Sequence, residues 1–178
     1  MEEQELIERS RQGDLDCFNQ LVERYQRDVY NLCLRMLGDP HAAEDATQEA
    51  FISAFKGVGR FRGGSFRAWL FTIAANASRD RLRTLRRRPA VSLDALTVDM
   101  DVDCRQPSPE DYAMGRERGE EIARALDALP PEMRLAVILR DIEGLEYEEI
   151  ARITSSSMGT VKSRISRGRE RLRRSLLP

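Results

Sequence analysis

Apolar residues recur along most of this 178-residue chain at the spacing of one face of an α-helix. Between Asp16 and Leu37 the recurring set is Phe18, Leu21, Val22, Tyr25, Val29, Leu32, Cys33, Met36 and Leu37. Because residues three and four positions apart share a helix face, this pattern predicts one long amphipathic helix. No stretch of the sequence alternates apolar and polar residues as a half-buried strand does. We therefore expect an all-α protein.

Local signals mark where the first helices begin and end. Gly38 is a typical stop, and Asp39 followed by Pro40 is typical of an N-cap and a first helical residue. The helix that follows should run to about Lys56, and Ser65 can cap another helix, of residues 66–88. The helix after Pro40 has a face of small residues suited to close packing, namely Ala43, Ala46, Ala50 and Ala54.

The formal net charge of −1 hides blocks of opposite sign. Residues 60–88 carry nine arginines against Asp80, and residues 158–178 carry seven bases against Glu170. The segment between them, residues 89–115, is acidic, with six carboxylates against Arg105. Two basic blocks on one chain indicate two sites for a polyanion such as nucleic acid.

The acidic segment also predicts the domain organisation. Residues 89–115 lack apolar periodicity and contain three prolines, which is typical of a flexible linker. We therefore expect two small helical domains, residues 1–88 and 116–178, joined by this acidic linker. In the second domain we expect helices over residues 116–128 and from Pro131 to Gly144. Residues 146–153, a turn at 154–157 and a basic helix from Met158 then form a predicted helix-turn-helix.

Composition argues against several other classes of protein. Cys17, Cys33 and Cys104 have no metal-binding spacing, and the single histidine, His41, lies on a predicted acidic helix face that suits solvent. We expect no metal, no cofactor and no catalytic constellation, hence no enzyme. The acidic start has no signal-peptide pattern, and no apolar run is long enough to cross a membrane. We therefore expect a cytoplasmic protein without membrane insertion.

The basic C-terminal helix fits recognition of duplex DNA. Val161 and Ile165 should face inward, which turns the polar residues near the start of the helix outward. A recognition helix presents such residues to base edges in the major groove and uses flanking bases for phosphates. The outward residues are Lys162, Ser163, Ser166 and Arg167.

The N-terminal basic block differs because aromatic residues lie among its arginines. Aromatic rings can stack on unpaired bases while guanidinium groups follow the phosphates, which favours single-stranded nucleic acid. One helix stripe carries Trp69, Thr72, Asn76, Arg79 and Arg83, and the glycine-rich loop before it carries Arg60, Phe61 and Arg62. Trp69 at this spacing is equally typical of a helical core, and both interpretations remain open. On the preceding helix, a second stripe of Asp45, Gln48, Glu49 and Ile52 is the best candidate for a protein-partner surface.

Several segments together resemble the extracytoplasmic-function sigma factors of bacterial RNA polymerase. Residues 42–51 (AAEDATQEAF), 60–76 (RFRGGSFRAWLFTIAAN) and 80–83 (DRLR) resemble their second conserved region. Residues 126–131 (LDALPP), 144–151 (GLEYEEIA) and 159–165 (GTVKSRI) resemble the fourth. These segments follow the family's order and cover almost everything outside the predicted linker.

This resemblance implies a function and roles for particular residues. A sigma factor binds core RNA polymerase, recognises the −10 and −35 promoter elements and promotes strand opening. The residues expected at the −10 element are Arg60, Phe61, Arg62, Ser65, Phe66, Trp69, Thr72, Asn76, Arg79 and Arg83. Those expected at the −35 element are Thr160, Lys162, Ser163, Arg164, Ser166, Arg167 and Arg171. Those expected to bind core polymerase are Asp45, Gln48, Glu49, Phe51 and Ile52.

The resemblance also implies partners. They are the largest and second-largest subunits of core polymerase, promoter DNA in duplex and single-stranded form, and an anti-sigma factor that holds the protein inactive. The alternative is an ordinary helix-turn-helix regulator, which leaves the basic block at residues 60–88 without a role. One departure from the family pattern is Ser155, Ser156 and Ser157, where glycine, an aliphatic residue and often proline are usual. We expect this turn to weaken the −35 domain.

Overall fold

The computed structural model describes residues 1–87 and 109–177, leaving aside the side chains of Arg86 and residues 109–117. The first range holds α1 (Glu3–Arg11), α2 (Leu15–Leu37), α3 (Pro40–Gly57), a 3₁₀ turn (Val58–Arg60) and α4 (Phe66–Arg87). The second holds α5 (Pro109–Asp127), α6 (Pro131–Val137), a π-helical turn (Ile138–Ile142), α7 (Tyr147–Thr154) and α8 (Met158–Leu176). Within these two ranges every regular element is helical, which confirms the expected all-α class.

Local signals set the boundaries of α2, α3 and α4 as the sequence predicts. Gly38 adopts a left-handed conformation with φ 68° directly after α2. The Asp39 carboxylate caps α3 by accepting from the Ala42 amide over 2.7 Å. The Ser65 hydroxyl accepts from the Ala68 amide over 3.1 Å at the start of α4. These bonds satisfy amides that have no partner within the helix.

The N-terminal half is a bundle in which α3 packs on both α2 and α4. Its contact face consists of residues without bulk, which allows the helix backbones to approach closely. All of them are at most 4% exposed: Ala42, Ala43, Ala46, Ala50 and Ala54. Phe66, Leu70 and Phe71 of α4 fill the space opposite, and none is more than 2% exposed. The predicted small-residue face is therefore part of the core.

Helix α1 was not predicted from the sequence. Its apolar face is short, with Leu6 fully buried and Ile7 8% exposed. The helix is held against α2 by a hydrogen bond of 2.6 Å that the Tyr25 hydroxyl donates to the Glu3 carboxylate. A single turn of apolar residues in an acidic segment gives too weak a periodicity for sequence analysis to detect.

The C-terminal half contains the expected helix-turn-helix in α7 and α8. Helix α5 begins at Pro109, seven residues before the predicted start at residue 116, while residues 88–108, which hold most of the predicted linker, lie outside the described ranges. The predicted helix from Pro131 to Gly144 ends in a π-helical turn, and Gly144 takes φ 70°. A proline at the first helical position is favourable, which explains the early start of α5.

The unusual turn between α7 and α8 is held by its own serine residues. Ser155 takes the left-handed position with φ 48°, where glycine is usual. The Ser156 hydroxyl donates to the Thr154 carbonyl over 3.1 Å. The Ser157 hydroxyl accepts from the Thr160 amide over 3.2 Å as the N-cap of α8. Polar side chains thus supply the local bonds of the turn.

The two halves pack against each other in the described part of the chain. Helix α4 lies against α7, and α2 contacts both α5 and α6. At the C-terminal end of α2, a side chain added at Gly38 would come within 2.5 Å of the Asp127 carboxylate. The packing of the two halves against each other determines which surfaces of each half remain exposed to a partner.

Candidate nucleic-acid and polymerase surfaces

The aromatic residues before and within α4 form one cluster. The Phe61 ring lies 5.4 Å from that of Phe66 and 5.3 Å from that of Trp69, and the Tyr25 ring lies 5.8 Å from that of Phe66. Phe61 is 7% exposed and Phe66 only 1%. Both rings therefore belong to the core, although the sequence predicted them to meet DNA. Trp69 is partly exposed, so its two interpretations are compatible: one face packs in the cluster and another reaches solvent.

The loop before α4 keeps its basic residues in solvent. Arg60 and Arg62 are exposed on either side of the buried Phe61. Gly63 and Gly64 follow with φ 94° and 90°, a conformation that residues with a side chain rarely adopt. Ser65 is exposed, and its hydroxyl is occupied by the α4 cap. The loop therefore uses Phe61 as an anchor and presents two guanidinium groups.

The predicted stripe on α4 is continuous but unevenly available. The Thr72 hydroxyl donates to the Ala68 carbonyl over 3.0 Å, and Asn76 is exposed and accepts from Arg79 over 3.3 Å. Arg79 donates both Nε and Nη2 to the Glu132 carboxylate of α6, each over 3.0 Å. Arg83 is 70% exposed beside Asp80. Within this stripe, the Arg79 guanidinium is therefore occupied by the C-terminal half.

A groove of about 690 Å³ lies between α2 and α3. Of the predicted partner stripe on α3, Asp45 and Gln48 line this groove and are exposed. Glu49 and Ile52 lie outside the groove, where Glu49 is exposed and Ile52 is 49% exposed. Asp45 forms an ion pair with Arg81 of α4, while Phe51 lies half-buried on the groove wall. The α2 side was missed by sequence analysis and consists of Val22, Gln26, Arg27 and Tyr30. Their spacing of three and four residues along one helix was the available signal.

Helix α8 presents the predicted polar face. Val161 is fully buried and Ile165 is 2% exposed, which leaves Lys162, Ser166, Arg167 and Arg171 exposed. Ser163 and Thr160 are partly exposed, and Thr160 shares a 2.9 Å hydrogen bond with Ser157. The sequence therefore predicted the orientation of the helix.

Arg164 is partly exposed and is bonded within the protein. Its Nη1 donates to the Ser156 hydroxyl over 2.8 Å and lies 3.5 Å from the Glu132 carboxylate. In this arrangement Arg164 ties α8 to the turn and to α6. The contact with the −35 element predicted for Arg164 would require these bonds to break, and it stays a prediction.

Sequence analysis missed a shallow cleft of about 430 Å³ beside the recognition face. Tyr147 of α7 lines it, with the Lys162 ammonium 5.8 Å and the Arg140 guanidinium 4.8 Å from the ring centroid. Arg169 and Arg173 line the other side, and Arg169 forms an ion pair with Asp141. A cation above an aromatic ring is stabilised by a modest electrostatic attraction, which helps to fix the positions of Lys162 and Arg140 beside the cleft.

Burial also changes the acid–base character of two groups. Burial is the main cause that raises the pKa of the Glu143 carboxyl, against the lowering by Arg67 and Arg35. Burial likewise raises the pKa of the Cys33 thiol, which keeps it protonated and unreactive. In residues 1–87 and 109–177, no cluster of metal-ligating side chains is present. Within the same ranges, no helix is long and apolar enough to cross a membrane.

Comparison with known families matches both halves. The family description Sigma-70 region 2 matches residues 21–88, and Sigma-70, region 4 matches residues 119–172. The sigma-H factor of Pseudomonas aeruginosa is 37% identical over 183 residues, covering 99% of this chain and 95% of that protein. The sigma-E factor of Escherichia coli K12, an ECF factor, is 38% identical over 184 residues with the same coverage. The chain belongs to the extracytoplasmic-function sigma factors.

Other relatives agree with this family assignment. The ECF sigma factor SigE of Mycolicibacterium smegmatis is 42% identical over 163 residues, which cover 91% of this chain and 62% of that longer protein. The solved structure of the sigma factor RpoE with the anti-sigma factor NepR from Bartonella quintana matches with a TM-score of 0.71 at 26% identity. That match covers 89% of this chain and 96% of RpoE. The fold is shared with CnrH, solved with the cytosolic domain of CnrY, at a TM-score of 0.70 and 24% identity.

Membership of this family establishes the function in outline. The chain is a sigma factor of RNA polymerase that serves promoter recognition in transcription initiation. The family assignment accounts for the basic block at residues 60–88, which an ordinary helix-turn-helix regulator leaves without a role. The predicted sigma-factor family and function are therefore confirmed.

Proposed function

We propose that this sigma factor divides promoter recognition between two surfaces on its two halves. The loop and first turns of α4 would hold the −10 element as single-stranded DNA, and the exposed face of α8 would read the −35 element as duplex. The observation that carries the proposal is the difference between the two basic surfaces. One combines a partly exposed tryptophan with flanking arginines, and the other is a polar face on the second helix of a helix-turn-helix.

At the −10 element we assign capture of an unpaired base to Trp69, Thr72 and Asn76, with Arg60 and Arg62 on the backbone. Stacking on an aromatic ring contributes about 1–3 kcal/mol per base. Phe61 and Phe66 act indirectly in this assignment, because they pack beneath Trp69 and hold its ring.

At the −35 element we assign base contacts to Lys162, Ser166 and Arg167. Thr160, Ser163 and Arg171 lie beside them and would position the helix on phosphates. Exposed side chains on the groove-facing side of a recognition helix reach base edges, while flanking polar and basic side chains contact the backbone. Arg164 would first have to leave Ser156 and Glu132.

The groove between α2 and α3 is our proposed docking site for core polymerase, through its largest subunit. Asp45, Gln48 and Phe51 line the groove, and the exposed Glu49 and Ile52 of the same helix would extend the contact beyond it. We place the second-largest subunit on the C-terminal half. An anti-sigma partner is supported by the RpoE relative, which was solved with the anti-sigma factor NepR.

In this proposal the protein acts in the cytoplasm by binding alone, without catalysis of its own, and residues 1–88 and 116–178 are its two functional units. The test is transcription by purified core polymerase and this protein on a library of promoter fragments. Initiation only when both components are present supports the proposal. An absence of initiation on every fragment, with core binding intact, would contradict it.

Two variants separate the proposed surfaces. Ile52→Asp should abolish core binding because it places a charge on the exposed apolar side chain of the predicted partner stripe on α3. Asn76→Ala should leave core binding intact but reduce thymine reactivity to permanganate near the start site, which reports strand opening. Ser53→Asp, an exposed position on α3 outside the assigned set, is the matched control for the first variant. Unchanged permanganate reactivity in Asn76→Ala would remove the −10 role assigned to α4.

A further inference from the structure

The aromatic cluster of the proposed −10 surface is connected to α1 through Tyr25 of α2. The Tyr25 hydroxyl donates a hydrogen bond of 2.6 Å to the Glu3 carboxylate of α1. The ring of the same residue lies 5.8 Å from the Phe66 ring of α4, at an interplanar angle of 52°. Neither Tyr25 nor Glu3 belongs to a surface proposed above for DNA or polymerase. Tyr25 therefore joins α1 to α4 without an assigned role of its own.

Phe66 relates the position of Tyr25 to that of Trp69. The Phe66 ring is 1% exposed and lies 5.3 Å from the Trp69 ring and 5.4 Å from the Phe61 ring. Phe61 and Trp69 are in turn 5.3 Å apart. Because protein interiors are closely packed, the loss of one ring from such a group lets its neighbours shift. The orientation of Trp69, the ring assigned to base stacking, thus depends on Tyr25.

Helix α1 supports the same surface at a second point. It packs on the 3₁₀ turn Val58–Arg60, which leads into the loop before α4. A Cβ atom added at Gly59 would lie 4.0 Å from the carbonyl oxygen of Arg11, which is an ordinary van der Waals distance. The end of α1 therefore lies beside the turn that carries Arg60 and precedes Phe61.

The Tyr25 hydroxyl indicates more than a space-filling role. An apolar side chain could fill the space beside Phe66 without any polar group. Tyr25 instead donates a short bond to a carboxylate, and such bonds are stronger than those between neutral groups. A ring that packs on Phe66 and is also bound at its hydroxyl has little freedom to rotate. Since an ordered binding surface loses less conformational freedom when its ligand arrives, a fixed Trp69 ring favours stacking of a base.

We infer that Tyr25, anchored by Glu3, is a positioning residue for base capture: through Phe66 it holds the Trp69 ring in the orientation on which an unpaired base stacks. This inference rests on the −10 assignment of the proposed function. Tyr25 itself does not have to touch DNA. Loss of its ring should weaken binding of the unpaired −10 strand while the protein stays folded.

The first measurement is the affinity of reconstituted holoenzyme for a dye-labelled single strand carrying the −10 element of a promoter on which the wild type initiates. We expect Tyr25→Leu to bind about fivefold more weakly than the wild type, a part of what a fully stacked base contributes. Tyr25→Phe, which keeps the ring, should recover most of that loss. Cys33→Ala, at a buried residue further along α2, is the control for a general loss of stability and should bind like the wild type.

Glu3→Ala tests the anchor without removing any ring from the core. It deletes the acceptor of the Tyr25 hydroxyl and leaves all four aromatic side chains in place. Its matched control is Glu5→Ala, which removes the same charge from an exposed position in the first turn of α1. We expect Glu3→Ala to weaken binding of the single strand less than Tyr25→Leu does. Glu5→Ala should have no effect.

The second measurement observes the Trp69 ring directly. Trp69 is the only tryptophan of the chain, so the tryptophan fluorescence of the free full-length protein reports on this ring alone. We expect Tyr25→Leu and Glu3→Ala to raise the constant for quenching by acrylamide, because the ring becomes more accessible. Loss of stability alone leaves that constant unchanged in folded protein, so both control variants should match the wild type. Circular dichroism verifies that each variant is folded.

Wild-type affinity and wild-type quenching in Tyr25→Leu would overturn the inference. If Tyr25→Leu does not fold, the same result in Glu3→Ala overturns it. Weaker binding without a change in quenching would also overturn it, because Trp69 would not have moved. An equal loss of affinity in Cys33→Ala would do so too, since the effect would then be general.

Trp69→Ala separates this inference from the proposed function. If Trp69→Ala holoenzyme binds the single strand as tightly as the wild type, the stacking role proposed for Trp69 is wrong, and the positioning role of Tyr25 is wrong with it. If Trp69→Ala weakens binding and the Tyr25 and Glu3 variants do not, the proposed function stands and the positioning role is overturned.

Discussion

Arg134 of α6 donates a hydrogen bond of 2.6 Å from Nη1 to the main-chain oxygen of Met36, 98 residues earlier in the chain. Arg134 is 6% exposed. The same guanidinium donates to the Asp127 carboxylate over 2.8 Å and to the Asp127 and Leu129 carbonyls over 2.5 and 3.3 Å. It therefore closes the turn between α5 and α6 and also ties that turn to the end of α2.

Because Arg134 donates hydrogen bonds to several carbonyls at once, we expect its replacement to destabilise the fold strongly. Arg134→Met keeps much of the volume but leaves buried acceptors without donors, and we expect a loss of about 2–4 kcal/mol in the free energy of unfolding. Urea denaturation followed by circular dichroism measures the change. Arg124→Met, on the exposed side of α5, is the control and should be nearly neutral. An equally small effect of both substitutions would show that Arg134 is not a structural anchor.

Gly168 sets the distance between α8 and α6. A Cβ atom at this position would lie 2.6 Å from Cγ2 of Val137, which is too close for any real contact. We expect Gly168→Ala to push the recognition helix away from α6 and to cost about 1–3 kcal/mol, as overpacked cores do. Thermal denaturation of the full chain measures the loss. Gly159→Ala is the control, because its Cβ would meet only Ser157 Oγ at 3.9 Å.

The same clash can be relieved from the other side. Val137→Ala removes the methyl group that Gly168→Ala would strike, so the double variant should recover part of the stability lost by Gly168→Ala. If the double variant loses more free energy of unfolding than the two single variants lose together, the proposed contact is contradicted.

Tyr25 links the pH dependence of stability to α1. Burial is the largest cause that raises the pKa of Tyr25 to about 12. The hydrogen bond to Glu3 and the Glu3 charge are the next largest causes and raise the pKa in the same direction. The protonated phenol is thus favoured by folding, so its stabilising contribution is present below the ordinary pKa of about 10 and is lost as pH rises through about 12. An absorbance titration of the wild type minus Tyr25→Phe isolates this group.

Glu3→Gln separates the two causes of that shift. Removing the Glu3 charge should lower the pKa of Tyr25 from about 12 but leave it above the ordinary value, because burial is the larger cause. A pKa of Tyr25 that does not respond to Glu3→Gln would show that α1 is not docked at this position in solution.

Arg167 should contribute to sequence choice at the −35 element. It is exposed in the middle of α8 and has no ion-pair partner among the described residues, so it is free to meet a base edge. We expect Arg167→Ala to weaken holoenzyme binding to the preferred promoter by about 1–3 kcal/mol and to relax discrimination at one base pair. Binding to the preferred promoter and to single-base variants at fixed salt measures both effects.

Arg174 is the matched comparison for that prediction. It lies at the end of α8, where it donates to Glu170 over 2.8 Å, and its position suits a backbone contact at most. Arg174→Ala should weaken binding to all promoters alike and leave discrimination unchanged. Equal loss of discrimination in both variants would contradict the assignment of Arg167 to a base.

Much of the fold was determined by interactions within a few residues, and the sequence alone was sufficient to predict it. The stop at Gly38, the caps at Asp39 and Ser65 and the orientation of α8 depend on hydrogen bonds and periodicity inside one turn or one helix. The same local patterns carried the resemblance to sigma factors, because family motifs are runs of neighbouring residues. Helix α1 was not predicted, because its single apolar turn is stabilised by packing on α2 rather than by a pattern within the segment.

Tertiary structure decided which of the predicted site residues are available. Phe61 and Phe66 are aromatic residues among arginines, as in a base-stacking loop. Their rings are nevertheless buried beside Tyr25 and Trp69, because burial removes their apolar surface from water. Arg79 and Arg164 have the spacing of DNA contacts, but Glu132, distant from both in the chain, supplies a carboxylate that each reaches. Periodicity gives the face on which a residue lies. Its partner depends on contacts between helices far apart in sequence, which only the folded chain brings together.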